Sequence, residues 1–487
     1  MSVITVMASV GIIGGGISGL SAAHYLSKLS ATKVKKIILY EASDRLGGWI
    51  QTSQGDDGSL FESGPRSVRP IGAAAQTTLS LVEDVGLSDQ VISIPRSHSA
   101  AKNRLIYANG QLHFLPNQLA DLFKVKAPLT SRLFPRLLAE VFVGKSGEED
   151  ESVDSFFRRR LGDEVADYYV NSMCHGIFAG DSRKLSIRSC FKDIWSLEQR
   201  HGSLVGAAVS GIFSRAESPK NAQSVCALAK RAKSENWAVW SLKKGLEDLP
   251  RAIEQSLLRD DRIEIRKGTS VSAISFVNQS SVQVTAGGKS DDFRHVISSV
   301  YAGTLAQLLP TTIPLISAVL RKILAVNVAV INVEYDRLIF PLSAFGYLVP
   351  SSENSKILGV IFDSCLFNEH SQKRNSTRLT CMLGGAYFEK HFGKVNSIED
   401  GALIAAALDS ISEHLKIQQK PTRIKMTLHK NCIPQYHVGH QADVAAVRKS
   451  IAEQNWPLSL IGSSYDGVSI NDCVHGGKMV ADKIKND

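Results

Sequence analysis

The chain has 487 residues, a formal net charge of +9 and a pI near 9.1, and this length is enough for two or three domains with a sizeable buried core. Hydrophobic residues make up 44% and charged residues 21% of the sequence, which is typical of a globular protein. The positive charge favours anionic partners, but no dense run of lysine and arginine is interleaved with aromatic residues, so nucleic acid is not expected among them.

Cysteine usage and hydropathy exclude several further classes. The seven cysteines are scattered, with no CxxC motif and no spacing typical of His/Cys metal ligands, so we expect reduced thiols and no metal site. No apolar run reaches the roughly 18 residues of a membrane-spanning helix. Because the first predicted strand begins almost at once, we expect no cleaved signal or transit peptide, and any organelle address would be internal.

The first predicted element is a short apolar strand that leads into a glycine-rich turn and an alanine-rich helix. The turn has the pattern GxGxxG at Gly14, Gly16 and Gly19. Gly14 allows the tight turn, Gly16 lets the backbone approach a pyrophosphate, and Gly19 lets the helix pack close to the strand. The helix N-terminus would offer free N–H groups to the phosphates. This stretch therefore predicts a dinucleotide-binding βαβ unit.

The second predicted strand, residues 36–40, ends at Glu41, where a carboxylate can accept a hydrogen bond from a ribose hydroxyl. The alternative is an ordinary strand-to-helix turn with a solvent-facing Glu41. The turn that follows contains two adjacent glycines and Arg45, which would reach a phosphate. An acidic residue followed by an RxGG turn resembles the FAD-binding signature of the flavin amine-oxidase superfamily. A glutamate in place of an arginine also suits the free ribose hydroxyl of FAD.

The next predicted elements are a turn, a helix and a hairpin. Residues 61–70 contain a glycine-proline turn, which passes the flavin ring in this superfamily but would be a surface turn if it stood alone. Residues 77–85 predict a short amphipathic helix, and residues 104–116 predict a hairpin. Arg104 begins the first strand of this hairpin, where a solvated arginine is more common than a ligand.

From residue 117 to about residue 215 the apolar residues recur at helical spacing, with basic residues between them. Such a pattern suits either the surface of an anionic membrane or helices packed on their own domain. Within it, residues 153–161 predict an amphipathic helix. Residues 214–221 are polar and predict a flexible connection.

The last third of the chain returns to strands. We expect the nucleotide-binding sheet to be completed by four predicted strands, at residues 263–265, 271–274, 282–284 and 295–300. Residues 326–333 and 378–383 predict a second sheet. The final motif, residues 461–472, is an apolar strand, a glycine turn and a helix start, whose N-terminus could face an anion. With the first motif it predicts an FAD domain closed by its C-terminal segment.

Seven stretches together resemble the protoporphyrinogen oxidase family of animal mitochondria over essentially the whole chain: residues 14–19, 45–50, 64–66, 176–183, 185–191, 429–436 and 465–473. The glycine motifs are common to the superfamily, and the middle stretches are more specific. The resemblance implies an α/β fold with a Rossmann-like FAD-binding domain of discontinuous segments, a mixed-sheet α+β substrate domain and a helical membrane-binding insertion. The predicted ranges are 1–88, 237–300 and 430–487 for the first, 89–116 and 301–429 for the second, and 117–236 for the third.

The resemblance also implies the site. FAD would be bound non-covalently and would accept the hydride, with no catalytic protein residue. Its contacts would be Gly14, Gly15, Gly16, Ile17, Ser18, Gly19, Glu41, Ala42, Arg45, Gly48, Trp49, Gly64, Pro65, Arg66, Ser67, Val271, Ser463, Val468, Ser469 and Ile470. Substrate contacts would be Arg104, Gly176, Phe345, Gly346, Leu348, Ile361, Met382 and Ile433. Arg104 would bind a propionate, and Gly176 would offer its carbonyl to the pyrrole nitrogens.

The implied reaction is the oxidation of protoporphyrinogen IX to protoporphyrin IX by dioxygen, with hydrogen peroxide as by-product, in the penultimate step of haem biosynthesis. The implied setting is peripheral, on the intermembrane-space side of the mitochondrial inner membrane, as a homodimer that passes its product to ferrochelatase. Two alternatives stay open. One is an amine or polyamine oxidase on the same scaffold, and the other is a protein that binds flavin or porphyrin without turnover.

Two positions depart from the family pattern. Lys244 precedes Gly245 where two glycines are usual, which could alter a turn near the cofactor. His175 stands where the resemblance implies an arginine, so we expect the edge of the pocket to differ there.

Overall fold

The computed structural model describes residues 8–209, 225–339, 342–371 and 375–486. The strands in these ranges are β1 (Ala8–Ile13), β2 (Val34–Tyr40), β3 (Thr52–Gln54), β4 (Leu60–Glu62), β5 (Val91–Pro95), β6 (Leu105–Ala108), β7 (Gln111–Phe114), β8 (Trp237–Leu242), β9 (Ile263–Arg266), β10 (Val271–Asn278), β11 (Ser281–Ala286), β12 (Lys289–Phe293), β13 (His295–Ser298), β14 (Ala325–Tyr335), β15 (Gly346–Leu348), β16 (Ile357–Ile361), β17 (Thr377–Gly385), β18 (Arg423–Pro434) and β19 (Leu458–Leu460).

The helices in the same ranges connect and cover these strands. They are α1 (Ile17–Ser27), α2 (Ala73–Asp84), α3 (Ser99–Lys102), α4 (Leu133–Glu140), α5 (Val153–Leu161), α6 (Asn171–Phe178), α7 (Ile187–Cys190), α8 (Lys192–His201), α9 (Leu204–Val209), α10 (Ala227–Ser234), α11 (Asp248–Leu257), α12 (Ala302–Leu308), α13 (Pro314–Lys322), α14 (Asp363–Leu366), α15 (Phe388–Phe392), α16 (Asp400–Leu415), α17 (His440–Glu453) and α18 (Ile470–Asn486).

A five-stranded parallel sheet joins the two ends of the chain. Its order is β19-β13-β1-β2-β9. The central strand β1 is apolar and buried from Val10 to Ile13, as expected where helices cover a parallel sheet, whereas the edge strand β9 alternates isoleucine with charged residues. Helices α1 and α18 pack closely where α18 carries Gly477, whose Cβ, if present, would lie 2.7 Å from the backbone nitrogen of Ala22. The predicted Rossmann-like domain of discontinuous segments is therefore confirmed.

The prediction that four strands after residue 262 complete this sheet is wrong for two of them. Strands β9 and β13 join the five-stranded sheet, but β10 and β11 form a separate antiparallel sheet with β12. The three strands are joined by tight turns, which suit antiparallel neighbours, whereas a parallel sheet needs longer crossovers. Along β11, buried residues alternate with partly exposed ones, as in a sheet with one solvated face.

A seven-stranded mixed sheet forms the second region, in the order β18-β14-β17-β16-β15-β6-β7. The predicted strands at residues 326–333 and 378–383 are confirmed as parts of β14 and β17, which pair antiparallel. The predicted hairpin is β6 and β7, and β6 runs parallel to β15. Helix α16 packs on this sheet through Leu403, Ala407 and Ile411.

The third region is the helical segment from residue 117 to residue 209. It contains its own apolar cluster, which includes Phe156, Cys174 and Phe178. Helix α5 has the predicted bounds, and a π-helical turn (Val165–Val170) leads into α6. In the described part of the chain, no helix combines the length and hydropathy needed to cross a membrane. The predicted flexible connection at residues 214–221 lies outside the described residues.

Three predicted domain boundaries do not coincide with the packing. Strand β18 runs through residue 430, so this boundary cuts a strand of the seven-stranded sheet. Helix α10 packs into the core of the five-stranded sheet, although its residues were expected in the helical insertion. Helices α12 and α13 pack in the cluster that contains Val296 and Leu458 of β13 and β19, rather than with the substrate sheet.

Candidate active site

The first glycine turn lies at the carboxyl end of β1, where α1 begins. Gly14 has a φ of +102°, which favours glycine, and its N–H donates to Tyr40 O at 2.9 Å. A Cβ at Gly19 would lie only 1.9 Å from Gly14 O, so any side chain there would separate helix and strand. A Cβ at Gly16 would meet just one atom within 4 Å, the Cα of Gly48, at 3.9 Å. The space beside the backbone at Gly16 is therefore open, apart from Gly48.

The second glycine turn packs directly against the first. Gly47 N–H donates to Gly15 O at 2.9 Å, and Gly16 and Gly47 form an isolated parallel bridge. The guanidinium of Arg45 donates to the carbonyls of Leu46 and Ile50, both at 3.2 Å, and to that of Gly48. Arg45 was expected to reach a phosphate. The structure instead gives it the role of closing its own turn, because the three carbonyls converge on its planar fork, and the phosphate contact stays a prediction.

The carboxylate of Glu41 lies at the mouth of the first turn. Its Oε2 accepts from Gly15 N–H at 2.8 Å, and its Oε1 accepts from the backbone N–H and hydroxyl of Ser43 at 2.9 and 2.8 Å. Glu41 is thus fixed in place rather than free in solvent. Oε2 accepts only one of these bonds and keeps a second lone pair, which suits the predicted ribose contact. Val271 begins β10 close by, since Thr269 N–H donates to Glu41 O at 2.9 Å.

The C-terminal motif adjoins the first turn. A Cβ at Gly462 would lie 3.1 Å from Ser299 O and 3.4 Å from Ser18 Oγ. The hydroxyl of Ser299 lies 3.0 Å from the carbonyl oxygens of Ile13 and Gly14. Ser463 accepts a hydrogen bond from the Tyr436 hydroxyl, and residues 468–470 lead into α18. Residues from both ends of the chain therefore lie next to the first glycine turn.

These features fit a dinucleotide cofactor. Gly16 caps α1 without a side-chain hydrogen bond, and no acidic residue lies in the first turn of the helix, so its N–H groups are available to an anion. The facing glycines Gly16 and Gly48 form a cradle that a Cβ would narrow, since a Cβ at Gly48 would lie 3.2 Å from Gly16 Cα.

The third predicted flavin contact is the turn of residues 64–67, which packs on the backbone of Trp49. A Cβ at Gly64 would lie 2.2 Å from Trp49 O. Arg66 is 5% exposed, and one of its guanidinium nitrogens lies 2.6 Å from Asp363 Oδ1 and 2.5 Å from Thr380 Oγ1. Arg66 therefore anchors this turn to the seven-stranded sheet.

Arg104 is the charged group among the predicted substrate contacts. It immediately precedes β6, and its guanidinium carbon lies 5.0 Å from the centre of the Phe345 ring. Burial lowers the pKa of Arg104, and the neighbouring charge of Arg69 adds to this effect. Among the described residues its guanidinium has no carboxylate or hydrogen-bond partner. A half-buried, unpaired arginine on an aromatic ring is suited to a carboxylate ligand.

The register of the mixed sheet places the predicted apolar substrate contacts on neighbouring strands and in two apolar clusters. Gly346 pairs with Ile361 across β15 and β16, and Gly359 pairs with Met382 across β16 and β17. A Cβ at Gly176 of α6 would lie 2.8 Å from Leu348 Cδ1, so helix and strand meet there. Met382 and Ile433 pack in one apolar cluster, while Phe345 and Ile361 pack in another.

A family model described as flavin containing amine oxidoreductase matches residues 17–485. The chain belongs to this family. The match begins with helix α1 and includes the second glycine turn, the seven-stranded sheet and the C-terminal motif. The chain is therefore a flavin-dependent oxidoreductase, and FAD is its cofactor.

Relatives within the family are similar over almost their full length. The chain is 38% identical over 473 residues to protoporphyrinogen oxidase of Homo sapiens, with 97% of each chain covered. It is 38% identical over 476 residues to that of Bos taurus, with 98% of each covered, and 32% identical to that of Schizosaccharomyces pombe, with 98% of each covered. The predicted resemblance is confirmed.

Solved structures confirm the fold. A candidate protoporphyrinogen oxidase from Exiguobacterium sp. 255-15 aligns with a TM-score of 0.77 at 23% identity, covering 98% of this chain and 99% of that one. Cyclohexylamine oxidase from Brevibacterium oxydans IH-35A aligns with a TM-score of 0.69 at 16% identity, covering 99% of both chains. The fold class predicted from the sequence is that of the flavin amine oxidoreductases.

Sequence reasoning missed the polar residues that hold the flavin-facing turn. Thr380 Oγ1 lies 2.6 Å from Asp363 Oδ2 and 2.6 Å from Asn332 Oδ1, and Asn332 Nδ2 donates to Glu62 O at 3.2 Å. These residues come from three distant parts of the chain, so no local pattern could have joined them to Arg66. The sequence feature that pointed to such partners is the charge of Arg66 in a turn predicted to lie against the flavin, because a buried charge requires a partner.

Proposed function

We propose that this chain is an FAD-dependent oxidase that converts protoporphyrinogen IX to protoporphyrin IX, with dioxygen as acceptor and hydrogen peroxide as by-product. The observation that carries the proposal is the unpaired guanidinium of Arg104 on Phe345, next to the apolar contact between Gly176 and Leu348. A tetrapyrrole with propionate side chains needs both a cation and a flat apolar slot. The names of the relatives at 38% identity support this substrate.

Bound FAD supplies hydride acceptance, and the protein residues supply binding and orientation. A porphyrinogen becomes aromatic on oxidation, so much of the driving force lies in the substrate and no strong protein base is needed. Arg104 orients the macrocycle by a charge-assisted hydrogen bond. The apolar slot excludes water and holds a meso carbon toward the flavin.

An amine or polyamine oxidase is the second candidate, and the charges in the site disfavour it. An ammonium group would bind beside Arg104, whose pKa is already lowered by burial and by Arg69. Placing another cation there would add like-charge repulsion. The solved amine oxidase structures share the fold at 16% identity or less, which supports no statement about the substrate.

The test is a comparison of substrates in air. We expect purified protein reconstituted with FAD to produce porphyrin fluorescence and hydrogen peroxide from protoporphyrinogen IX, and no peroxide from cyclohexylamine or putrescine. Peroxide from an amine alone would establish the second candidate. Bound flavin with no turnover of either class would favour a binding protein.

The proposed setting is the surface of the mitochondrial inner membrane, on its intermembrane-space side, where the chain would act as a homodimer and pass porphyrin to ferrochelatase. Support for the membrane contact comes from large apolar side chains that the helical region exposes. Leu119 is 81% and Phe142 89% exposed, and Phe123, Val125, Leu138 and Val141 are also exposed. Lys124 and Arg132 lie between them in the sequence, which favours an anionic surface.

Flotation with anionic vesicles tests this contact. We expect the wild type to float at low salt and the double variant Leu119→Asp, Phe142→Asp to stay in solution. Leu315→Asp is the matched control, because Leu315 is also 81% exposed but lies on α13, outside the helical region. Equal flotation of all three proteins would contradict the proposal.

A further inference from the structure

His175 is a buried histidine on α6 with one hydrogen bond. It is 5% exposed, and its Nδ1 lies 2.7 Å from Val349 O. A carbonyl only accepts, so Nδ1 carries the proton and donates. The other ring nitrogen, Nε2, has no hydrogen-bond partner in the part of the chain that the structure describes. Burial lowers the pKa of His175, so the ring is neutral and makes a single directed bond.

Asn171 makes a second bond of the same kind, one helical turn earlier. Its side-chain Oδ1 accepts from Ser351 N–H at 2.7 Å. Residues four apart share one face of a helix, so both side chains join this face of α6 to the backbone that follows β15. The end of α6 is also held, because Gln435 Nε2 donates to Phe178 O at 2.9 Å.

These bonds lie beside the predicted substrate slot. His175 precedes Gly176, and Val349 follows Leu348, so consecutive residues on both partners make the hydrogen bond and the close apolar contact. A Cβ at Gly176 would lie 2.8 Å from Leu348 Cδ1 and 3.0 Å from Leu348 Cδ2. Strand β15 has only three residues. Because such a short strand makes few ladder hydrogen bonds, its contact with α6 helps to fix the position of the strand.

We propose that His175 is a positioning residue for the predicted substrate site, because its hydrogen bond to Val349 O holds α6 against β15 where the predicted substrate contacts Gly176 and Leu348 touch. The inference rests on the proposed function.

Two substitutions separate the hydrogen bond from the volume of the side chain. His175→Leu replaces the imidazole by an apolar side chain of similar size and removes the Nδ1–H donor. His175→Asn keeps an amide nitrogen at the same number of bonds from Cα as Nδ1. His370→Leu is the matched control, because His370 is also buried and its Nε2 lies 2.7 Å from a single carbonyl, that of Leu242.

The readouts are the FAD content of each variant and the KM and kcat for protoporphyrinogen IX and for a bulkier tetracarboxylate porphyrinogen. For His175→Leu we expect the KM for protoporphyrinogen IX to rise roughly 3- to 10-fold, as for one lost hydrogen bond, and kcat to stay within about twofold of the wild type. We also expect the ratio of kcat/KM for protoporphyrinogen IX to that for the bulkier substrate to fall. His175→Asn should restore most of the wild-type KM and most of this ratio.

A purely structural role would lower FAD content and activity toward both substrates alike, and would do so in His370→Leu as well. That result, or an unchanged KM and preference in His175→Leu, would overturn the proposal. Failure of the proposed function is distinguishable, because the wild type itself would then oxidise neither porphyrinogen.

Discussion

Arg66 lies in the turn predicted to face the flavin ring, yet its side chain points into the protein and contacts Asp363 and Thr380. Thr380 is on β17, which carries the predicted substrate contact Met382, and Asp363 begins α14, two residues after the predicted contact Ile361. This ion pair, in which the Arg66 side chain is 5% and the Asp363 side chain 20% exposed, therefore joins a turn of predicted cofactor contacts to the region of predicted substrate contacts.

Arg66→Ala tests this connection. The substitution leaves the Asp363 carboxylate without its cation, and breaking a buried pair in this way costs about 3–5 kcal/mol of unfolding free energy. We expect a lower melting temperature and loss of bound FAD, measured by absorbance of the flavin. Lys36→Ala breaks an exposed pair with Glu264 and should cost less than about 1 kcal/mol. Similar losses in both variants would contradict the assignment.

Arg104→Ala tests the anion site. Removing a charge-assisted hydrogen bond to a carboxylate should cost roughly 1–3 kcal/mol in kcat/KM for protoporphyrinogen IX, while FAD stays bound. Lys102→Ala removes a nearby exposed cation and should leave kcat/KM unchanged within about twofold. An unchanged kcat/KM in Arg104→Ala would remove this residue from the site.

Glu62 makes stability depend on pH. Burial raises the pKa of Glu62 to about 7, against hydrogen bonds from Leu246 N–H and the Thr52 hydroxyl, which lower it. Because the folded-state pKa exceeds the unfolded value of 4.5, this group favours the folded state at low pH. That contribution, at most about 3 kcal/mol, is lost as the pH rises through 7.

Glu62→Gln should remove this dependence. We expect the variant to gain stability relative to the wild type between pH 5 and pH 8, measured as the unfolding free energy in urea at both values. A difference between the two proteins that stays the same at pH 5 and pH 8 would show that the carboxyl does not titrate in this range.

At the scale of elements, hydrophobic periodicity predicted β1, β2, α5, the β6–β7 hairpin, β14 and β17, because each is a local pattern with a turn signal at its end. The same patterns failed to assign β10 and β11 to a sheet, since a strand's partner is decided by its connections and not by its own residues. Likewise, Asp363 and Thr380 carried no local signal, because their roles arise only where distant segments meet. His175 was singled out as a departure from the family pattern, but its hydrogen bond to Val349 O could not be predicted from the sequence. The apolar substrate contacts came from the resemblance alone.

The packing of α18 on α1 gives a test at this scale. A Cβ at Gly477 would lie 2.7 Å from Ala22 N, whereas a Cβ at Gly476 would meet nothing within 4 Å. We expect Gly477→Ala to destabilise the protein by about 1–3 kcal/mol through overpacking and to weaken FAD binding, because α18 begins at Ile470, the last of the predicted flavin contacts. Gly476→Ala should stabilise the helix by up to about 1 kcal/mol. Equal melting temperatures of the two variants would contradict this packing.

At the scale of the whole molecule, most of the predicted FAD contacts lie in the two ends of the chain, and the predicted substrate contacts lie between them. The five-stranded sheet takes β1 from the first residues described and β19 from near the last. The helical region contacts the mixed sheet through α6, which carries the predicted substrate contact Gly176. On this prediction neither region alone would carry out the reaction, because the predicted cofactor and substrate contacts come from different segments.

The most direct test of this account is anaerobic titration of the FAD-loaded protein with protoporphyrinogen IX. With the bound flavin kept in excess over porphyrinogen, we predict bleaching of the flavin absorbance by successive two-electron oxidations, growth of porphyrin fluorescence as these steps are completed, and recovery of the absorbance when air is admitted. Protein that takes up no flavin when FAD is in excess, or flavin that stays oxidised while porphyrinogen is present, would contradict the account.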